Sequence, residues 1–322
     1  MRWRAAAAAV CAALFYGLVP VAGGTSPGMP GPPVAAVGAE MRPTMVEPLP
    51  SPSGGESGLY LLPARPHVRA PSAILVDLTT GRVLFAKHPD QRRPVASLTK
   101  MMTALLVLEH ADLAEVVTVS RKAAATDPIV LGLQPGERIT VKSLVWGLLL
   151  WSGNDAAVAL AEHVSGSVTG FLHLMNARAW ELGLRDTFFA SPNGLDDHGY
   201  STARDLAILA RVALRDRFFA AVVRSRFHRI PGPPGQIHRL WNLNEMLVRY
   251  PGSIGVKTGY TRGAGNCLVA AAARGGGTLI AVVLGDPPGT HWRFAYGDAG
   301  ALLDYGFDLE AISLIARERR AA

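Results

Sequence analysis

Pro94-Val95-Ala96-Ser97-Leu98-Thr99-Lys100-Met101-Met102-Thr103-Ala104-Leu105-Leu106-Val107-Leu108 is the stretch that decides how the chain is read. After the proline, good helix formers dominate. Beyond the first turn, apolar residues occupy almost every helical face, and a helix that is apolar all round is a buried one. The pattern predicts a central buried helix beginning at Ser97. Ser97 and Lys100 stand three positions apart and share one face. A serine hydroxyl is a weak nucleophile until a base takes its proton. Lysine can be that base only when neutral, and burial lowers its pKa toward that state. The helix N-terminus adds partial positive charge beside a developing oxyanion. Alone the pair is weak evidence: a chain of this size carries about one Ser-x-x-Lys by chance, and a capping serine with a solvated lysine is the commoner case.

Outward from this helix, strands lie at both ends of the sequence and helices between them. Ala73 to Asp77 and Arg82 to Ala86 are short apolar runs around Leu78-Thr79-Thr80-Gly81, a hairpin signal. Leu144 to Leu150, Ala156 to Val164 and Phe171 to Leu182 read as helices. A loop spans Ser191 to Tyr200, and Thr202 caps a helix from Ala203 to Leu214. Ser253 to Thr258 reads as a strand. Asn266 to Ala273 and Thr278 to Leu284 form a second hairpin around Arg274-Gly275-Gly276-Gly277, and a helix from about Trp292 to Tyr305 follows. Strands at both ends must meet in one sheet, which predicts an α+β domain with an antiparallel sheet beside a mainly helical block.

Two further segments carry chemistry. Ser152-Gly153-Asn154 interrupts two predicted helices, so its hydroxyl and amide project from a tight turn. These are also ordinary turn residues. Lys257-Thr258-Gly259 ends a predicted edge strand. A charge and a hydroxyl there suit an extended peptide with a terminal carboxylate, and glycine permits close backbone approach.

The composition sets the frame. The chain has 322 residues, 49% hydrophobic and 18% charged, with a net charge of +7. Only five of the 32 basic residues are lysines, and two of those five fall in the segments just named. The arginines form no basic stripe interleaved with aromatics, so no nucleic-acid partner is expected. Arg2 and Arg4 precede the apolar run Ala5 to Val19, and small residues follow to Gly24. Residues 1–24 read as an export signal, with an uncleaved anchor as the open alternative. Residues 25–69, rich in Pro, Gly and Ser, read as a flexible tether. Cys11 lies in the signal, and Cys267, in an apolar run, is expected to be a small core residue.

Together the three motifs resemble the serine penicillin-binding proteins and class A β-lactamases. The pattern is most similar to the low-molecular-mass D-alanyl-D-alanine carboxypeptidases (peptidase family S11). The resemblance covers about Pro71 to Phe307. It extends through Pro192-Asn193-Gly194-Leu195-Asp196, Tyr200-Ser201-Thr202-Ala203-Arg204-Asp205 and Val256-Lys257-Thr258-Gly259-Tyr260-Thr261. It implies a β-lactamase/transpeptidase-like fold and a catalytic domain over residues 70–307. It implies a peptidoglycan stem peptide ending in D-Ala-D-Ala as substrate, β-lactams as inhibitors, and no cofactor or metal. Ser97 would form the acyl-enzyme, Lys100 accept its proton and Ser152 relay a proton to the leaving amine. Asn154 would bind the substrate backbone, Lys257 keep the site electropositive, and Thr258 bind the terminal carboxylate. Gly259 and Tyr260 extend this strand, with the N–H groups of Ser97 and Tyr260 as the oxyanion hole. Arg293 is a further candidate for the carboxylate; a plain surface arginine reads equally well.

Residues 308–322 read as a short tail or final helix. A peripheral membrane contact through Leu309, Ile312 and Ile315 is the less favoured reading. Of the rivals, a class A-like β-lactamase needs a loop glutamate for deacylation. None occurs between Glu181 and Glu245, although Asp196 and Asp197 lie in the relevant loop. A catalytically inactive peptidoglycan-binding module is expected to lack one of Ser97, Lys100 or Lys257. No His-Glu-x-x-His cluster points to a metallohydrolase, and no Gly-x-Ser-x-Gly to a Ser-His-Asp enzyme.

Overall fold

The computed structural model describes residues 62–321 apart from 234, 288, 290 and 291, with side chains described to 316. The expected export signal, Cys11 and the tether up to residue 61 lie outside the described residues. The chain is already held to the body before Ala70, where the domain was expected to begin. Arg65 donates to the Ala86 carbonyl at 3.1 Å, and Lys87 donates to the Val68 carbonyl at 2.7 Å.

The first hairpin is β1 (Ser72–Asp77) and β2 (Val83–Lys87). After a 3₁₀ turn over Ala96–Thr99 come α1 (Lys100–His110), β3 (Val116–Thr118), α2 (Arg121–Ala124), β4 (Arg138–Thr140) and α3 (Val141–Trp146). A wider π turn over Gly147–Trp151 leads to α4 (Asn154–Ser165), α5 (Val168–Glu181), α6 (Ala203–Ala213) and α7 (Arg217–Arg224). Then follow β5 (Phe227–Pro231), β6 (Ile237–Trp241), α8 (Met246–Arg249), β7 (Ser253–Thr261), β8 (Gly265–Arg274), β9 (Gly277–Asp286) and α9 (Arg293–Ala321).

The main sheet has the order β2-β1-β9-β8-β7 and is antiparallel throughout. The N-terminal hairpin therefore meets the C-terminal strands through β1 and β9, as the α+β reading requires. Side chains alternate strictly across this sheet. Ile74, Val76, Ile280 and Val282 face the helical block, whereas Ala73, Leu75, Leu279 and Ala281 pack beneath α9. Both faces being covered explains why β8 and β9 read as unbroken apolar runs. The last helix passes through position 308 without a break, so the tail and the helix are one element. Among the described residues, no helix is long and apolar enough to cross a membrane.

The helix predicted from Ser97 begins instead as a 3₁₀ turn, and α-helix proper starts at Lys100. The cause is local: Ala96 sits at φ 50, in the left-handed region, and Leu98 N–H reaches back to the Val95 carbonyl at 3.2 Å. Beyond that turn every residue from Lys100 to Val107 is buried. Leu98, Met101, Met102 and Leu106 each contribute roughly 1.5–3 kcal/mol by burial. Together they offset the several kcal/mol needed to take an amine out of water. Gly259 does not end β7; the strand continues to Thr261 because Gly259 stays in register with Cys267. Cys267 is fully buried, and burial pushes its thiol up to about 12. It packs as a small core residue.

Candidate active site

Three elements converge on Lys100. Its Nζ lies 2.8 Å from Ser97 Oγ, 2.6 Å from Asn154 Oδ1 and 2.6 Å from the Asn193 carbonyl oxygen. Ser97 sits in the 3₁₀ turn and is half-buried, while Lys100 is fully buried. The nucleophile therefore meets solvent and the base does not. Burial holds the Lys100 amine well below the usual lysine range; the charge of Lys257 pushes the same way, and Asp155 opposes them. A neutral amine has two N–H groups and one lone pair. The Asn154 and Asn193 oxygens can only accept. When Lys100 is neutral they can take its two hydrogens, which leaves the lone pair for the one neighbour that can donate, the Ser97 hydroxyl. An amine so placed can serve as a general base toward the Ser97 hydroxyl.

Ser152 closes the π turn in a left-handed conformation, φ 66 and ψ 31, which turns its hydroxyl inward. Its Oγ accepts a hydrogen bond from Lys257 Nζ at 3.1 Å, and the same amine donates to the Thr258 carbonyl at 2.9 Å. Burial lowers Lys257 to about 7. Thr258 is buried beside it in β7, whereas Tyr260 is 47% exposed at the rim.

β7 lies against the nucleophile turn. A Cβ built on Gly259 would stand 3.0 Å from both the Ser97 and Leu98 nitrogens and 2.9 Å from the Val95 carbonyl oxygen. Only a glycine lets the strand approach the backbone of Ser97 this closely. Ser97, Lys100 and Asn154 thus form one hydrogen-bonded group of this cluster and Ser152 with Lys257 another, the charge of Lys257 acting on Lys100, with Gly259 and its neighbours along one wall.

Two of the expected substrate-binding residues have surroundings of their own. Asn154, expected to bind the substrate backbone, opens α4 at 1% exposure. Its oxygen accepts from Lys100 and its nitrogen donates to the Pro128 carbonyl, so it positions the base. Arg293, at the start of α9, is exposed and lines a groove with Met246, Arg249, Tyr250 and Tyr296. The structure does not bring it into the cluster.

Other residues carry the site without having been assigned a part in it. Asp155, fully buried, accepts from the N–H groups of Leu131, Gly132 and Leu133 at 2.9 to 3.2 Å. It clamps the loop that receives Asn154, whose own N–H donates to Ile129 O at 2.9 Å. Asn193 contributes through its carbonyl, a group whose position no side-chain pattern reveals. Of the loop acids, Asp196 pairs with His198 at 2.7 Å and Asp197 accepts from Thr261 at 2.7 Å. Neither carboxylate hydrogen-bonds Ser97 or Lys100.

The same chain matches known proteins over this region. The family model for D-alanyl-D-alanine carboxypeptidases matches residues 61–288. A D-alanyl-D-alanine carboxypeptidase of Bacillus subtilis is 40% identical over 222 residues, covering 67% of this chain and 57% of the relative. One from Mycobacterium tuberculosis is 37% identical over 253 residues, covering 76% and 84%. The chain thus matches little more than half of the Bacillus relative's length. Among solved structures, a variant of the Streptomyces K15 DD-transpeptidase superposes with a TM-score of 0.71 at 35% identity, covering 76% of this chain and 99% of that one. A D-alanyl-D-alanine carboxypeptidase from Mycobacterium tuberculosis gives 0.72 at 36%, covering 75% and 92%.

Proposed function

We propose, from the premise that this chain belongs to the D-alanyl-D-alanine carboxypeptidase family of serine peptidases, that it removes the terminal D-alanine of peptidoglycan stem peptides. The observation that carries the proposal is the buried Lys100 amine 2.8 Å from Ser97 Oγ, held there by the Asn154 and Asn193 oxygens. Ser97 Oγ attacks the carbonyl of the last peptide bond and passes its proton to Lys100. The C–N bond then breaks, and the proton held by Lys100 passes through Ser152, which hydrogen-bonds Lys257, to the leaving amine. Water hydrolyses the resulting ester and frees Ser97. The N–H groups of Ser97 and Tyr260 receive the oxyanion. Thr258 receives the terminal carboxylate in the positive field of Lys257. A β-lactam acylates the same serine but keeps its leaving amine tethered. With no loop carboxylate at Ser97, that ester is expected to persist.

The test is release of D-alanine from a synthetic peptide ending in D-Ala-D-Ala, with peptide mapping of the penicillin adduct. The expected result is stoichiometric D-alanine and one adduct, on the peptide holding Ser97. Rapid penicillin turnover without a lasting adduct would favour a β-lactamase. No adduct on folded protein would favour an inactive binding module. We place the enzyme outside the cytoplasm, in the cell envelope or secreted. The support is the basic start and apolar run of residues 1–24. Recovery of the adduct-forming protein from an envelope or medium fraction checks this.

The two lysines set the pH profile. Lys100 must be neutral to act, so kcat rises as pH climbs through its lowered pKa. Lys257 must be charged to hold a carboxylate, and that attraction is present below about 7 and lost above it. The profile of kcat/KM is therefore expected to be bell-shaped. On its alkaline limb, KM for the peptide should rise by on the order of 10-fold. A KM that stays level from pH 6 to pH 9 would remove Lys257 from carboxylate binding.

A further inference from the structure

The β5–β6 hairpin has two faces of opposite character. Its inner face packs on the body: Ile230 and Leu240 are buried, and His228 stacks on Trp146 at 3.7 Å. On the outer face the register pairs Phe227 with Trp241, Arg229 with Arg239, and Pro231 with Ile237. Ile237 is 62% exposed and Trp241 60%, and both arginines are exposed.

This face is unfavourable for a surface that meets only water. Like charges directly opposite each other across two strands destabilise the pairing. An exposed tryptophan and isoleucine contribute nothing to the core. The surroundings do not compensate: from Arg217 to Asn244 the chain has five arginines and no aspartate or glutamate. Arg217, Arg224 and Arg226 are exposed as well.

The hairpin is also tied to the catalytic turn. Asn242 N–H donates to the Arg226 carbonyl at 3.0 Å, closing the base of the hairpin. The next residue, Leu243, donates to the Leu150 carbonyl at 3.1 Å, two positions before Ser152.

We propose that the outer face of the β5–β6 hairpin docks on an anionic phospholipid surface and so orients the active site relative to the membrane. Charge complementarity supplies the attraction, since arginine forks pair with phosphate. The apolar residues select a bilayer over a soluble polyanion. A polyanion would pair Arg229 and Arg239 but leave Ile237 and Trp241 in water. The interface of a bilayer takes both, with the indole at headgroup depth. The argument does not depend on the peptidase reading, because none of these residues belongs to the catalytic cluster.

The experiment uses the full chain with vesicles containing phosphatidylglycerol and brominated acyl chains, which quench a tryptophan only at bilayer depth. Quenching is compared between wild type and Trp241→Phe, so that lipid binding by other parts of the chain cancels. Wild type is expected to show a quenched component that Trp241→Phe lacks. In Arg229→Gln/Arg239→Gln, the lipid concentration at half-saturation of that component should rise roughly 30-fold. Unchanged D-alanine release in solution by these variants would show that they are folded. Equal quenching of wild type and Trp241→Phe would overturn the proposal, as would unchanged lipid affinity in the double arginine variant. Binding of inorganic polyphosphate with no quenching by lipid would assign the face to a soluble polyanion instead.

Discussion

Lys100→Met is expected to slow acylation of Ser97 by penicillin by on the order of 10⁴-fold, the upper range for loss of a general base. Methionine approximates the shape of the lysine stem but has no proton acceptor of comparable basicity. The serine hydroxyl then has no group nearby to take its proton, because Asn154 and Asn193 are both turned toward position 100 by amide oxygens. The stability effect is mixed. Two buried acceptors lose their donor, at about 1–3 kcal/mol each. The burial cost of the amine disappears at the same time. The variant should therefore stay folded, with a modest shift in Tm, and its defect should lie in single-turnover acylation. Lys100→Arg separates charge from basicity. A guanidinium keeps the charge and the donors but does not deprotonate in a protein. It should be nearly as slow as methionine. Acylation within 10-fold of wild type in either variant would mean that another group takes the proton.

Gly194→Ala is the second large effect. The glycine sits at φ +80, and a Cβ there would stand 2.0 Å from the Ala96 carbonyl oxygen and 3.0 Å from Thr99 Oγ1. The nearest atom is backbone, so no rotamer change relieves the clash. The turn carrying Ser97 must move, and with it the neighbouring Asn193 carbonyl that holds Lys100. A displacement approaching 1 Å costs about 10²-fold in rate. The left-handed backbone adds about 1–2 kcal/mol of strain for alanine. Gly183→Ala supplies the control. Its φ is +77, but nothing lies within 4 Å of the added methyl. It should lose stability by the strain alone and keep its acylation rate. If Gly194→Ala acylates normally and differs from Gly183→Ala only in Tm, contact between the loop and the Ser97 turn does not set the catalytic geometry.

The two experiments probe interactions of different sequence separation, and that separation governs how much could be read in advance. Ser97 and Lys100 are three residues apart, so helical geometry alone puts them on one face. The apolar run that buries Lys100 is equally local. Ser152 could be located because a helix break is a local event, and Lys257 because strand patterning is. The elements missed were short ones: β3, β4, α2, α7, α8 and the β5–β6 hairpin. β3 and β4 have three residues each, too few for any period to register. The contact of Asn154 with Lys100 was not legible, because an amide in a turn looks free until its partners are known. Both partners come from distant segments, Lys100 and the loop at Pro128.

What the sequence alone determined was chemical identity: a serine to attack, a lysine that burial could neutralise, and an α+β order of elements that brings the chain ends into one sheet. Its local periodicities of 3.6 and 2 encode those features directly. Only the tertiary structure decided how the lysine is disarmed as a cation and aimed as a base. Its lost charge rests on burial, and its aim on two oxygens, from Asn154 and Asn193, 54 and 93 residues away along the chain. That aim also rests on the close passage of Gly194 and Gly259 against the turn at Ala96 and Ser97. These are long-range contacts among backbone atoms, one side-chain amide oxygen and the N–H groups of the lysine. No residue pattern along the chain records them, because they exist only once the loop, the strand and the helix have packed together.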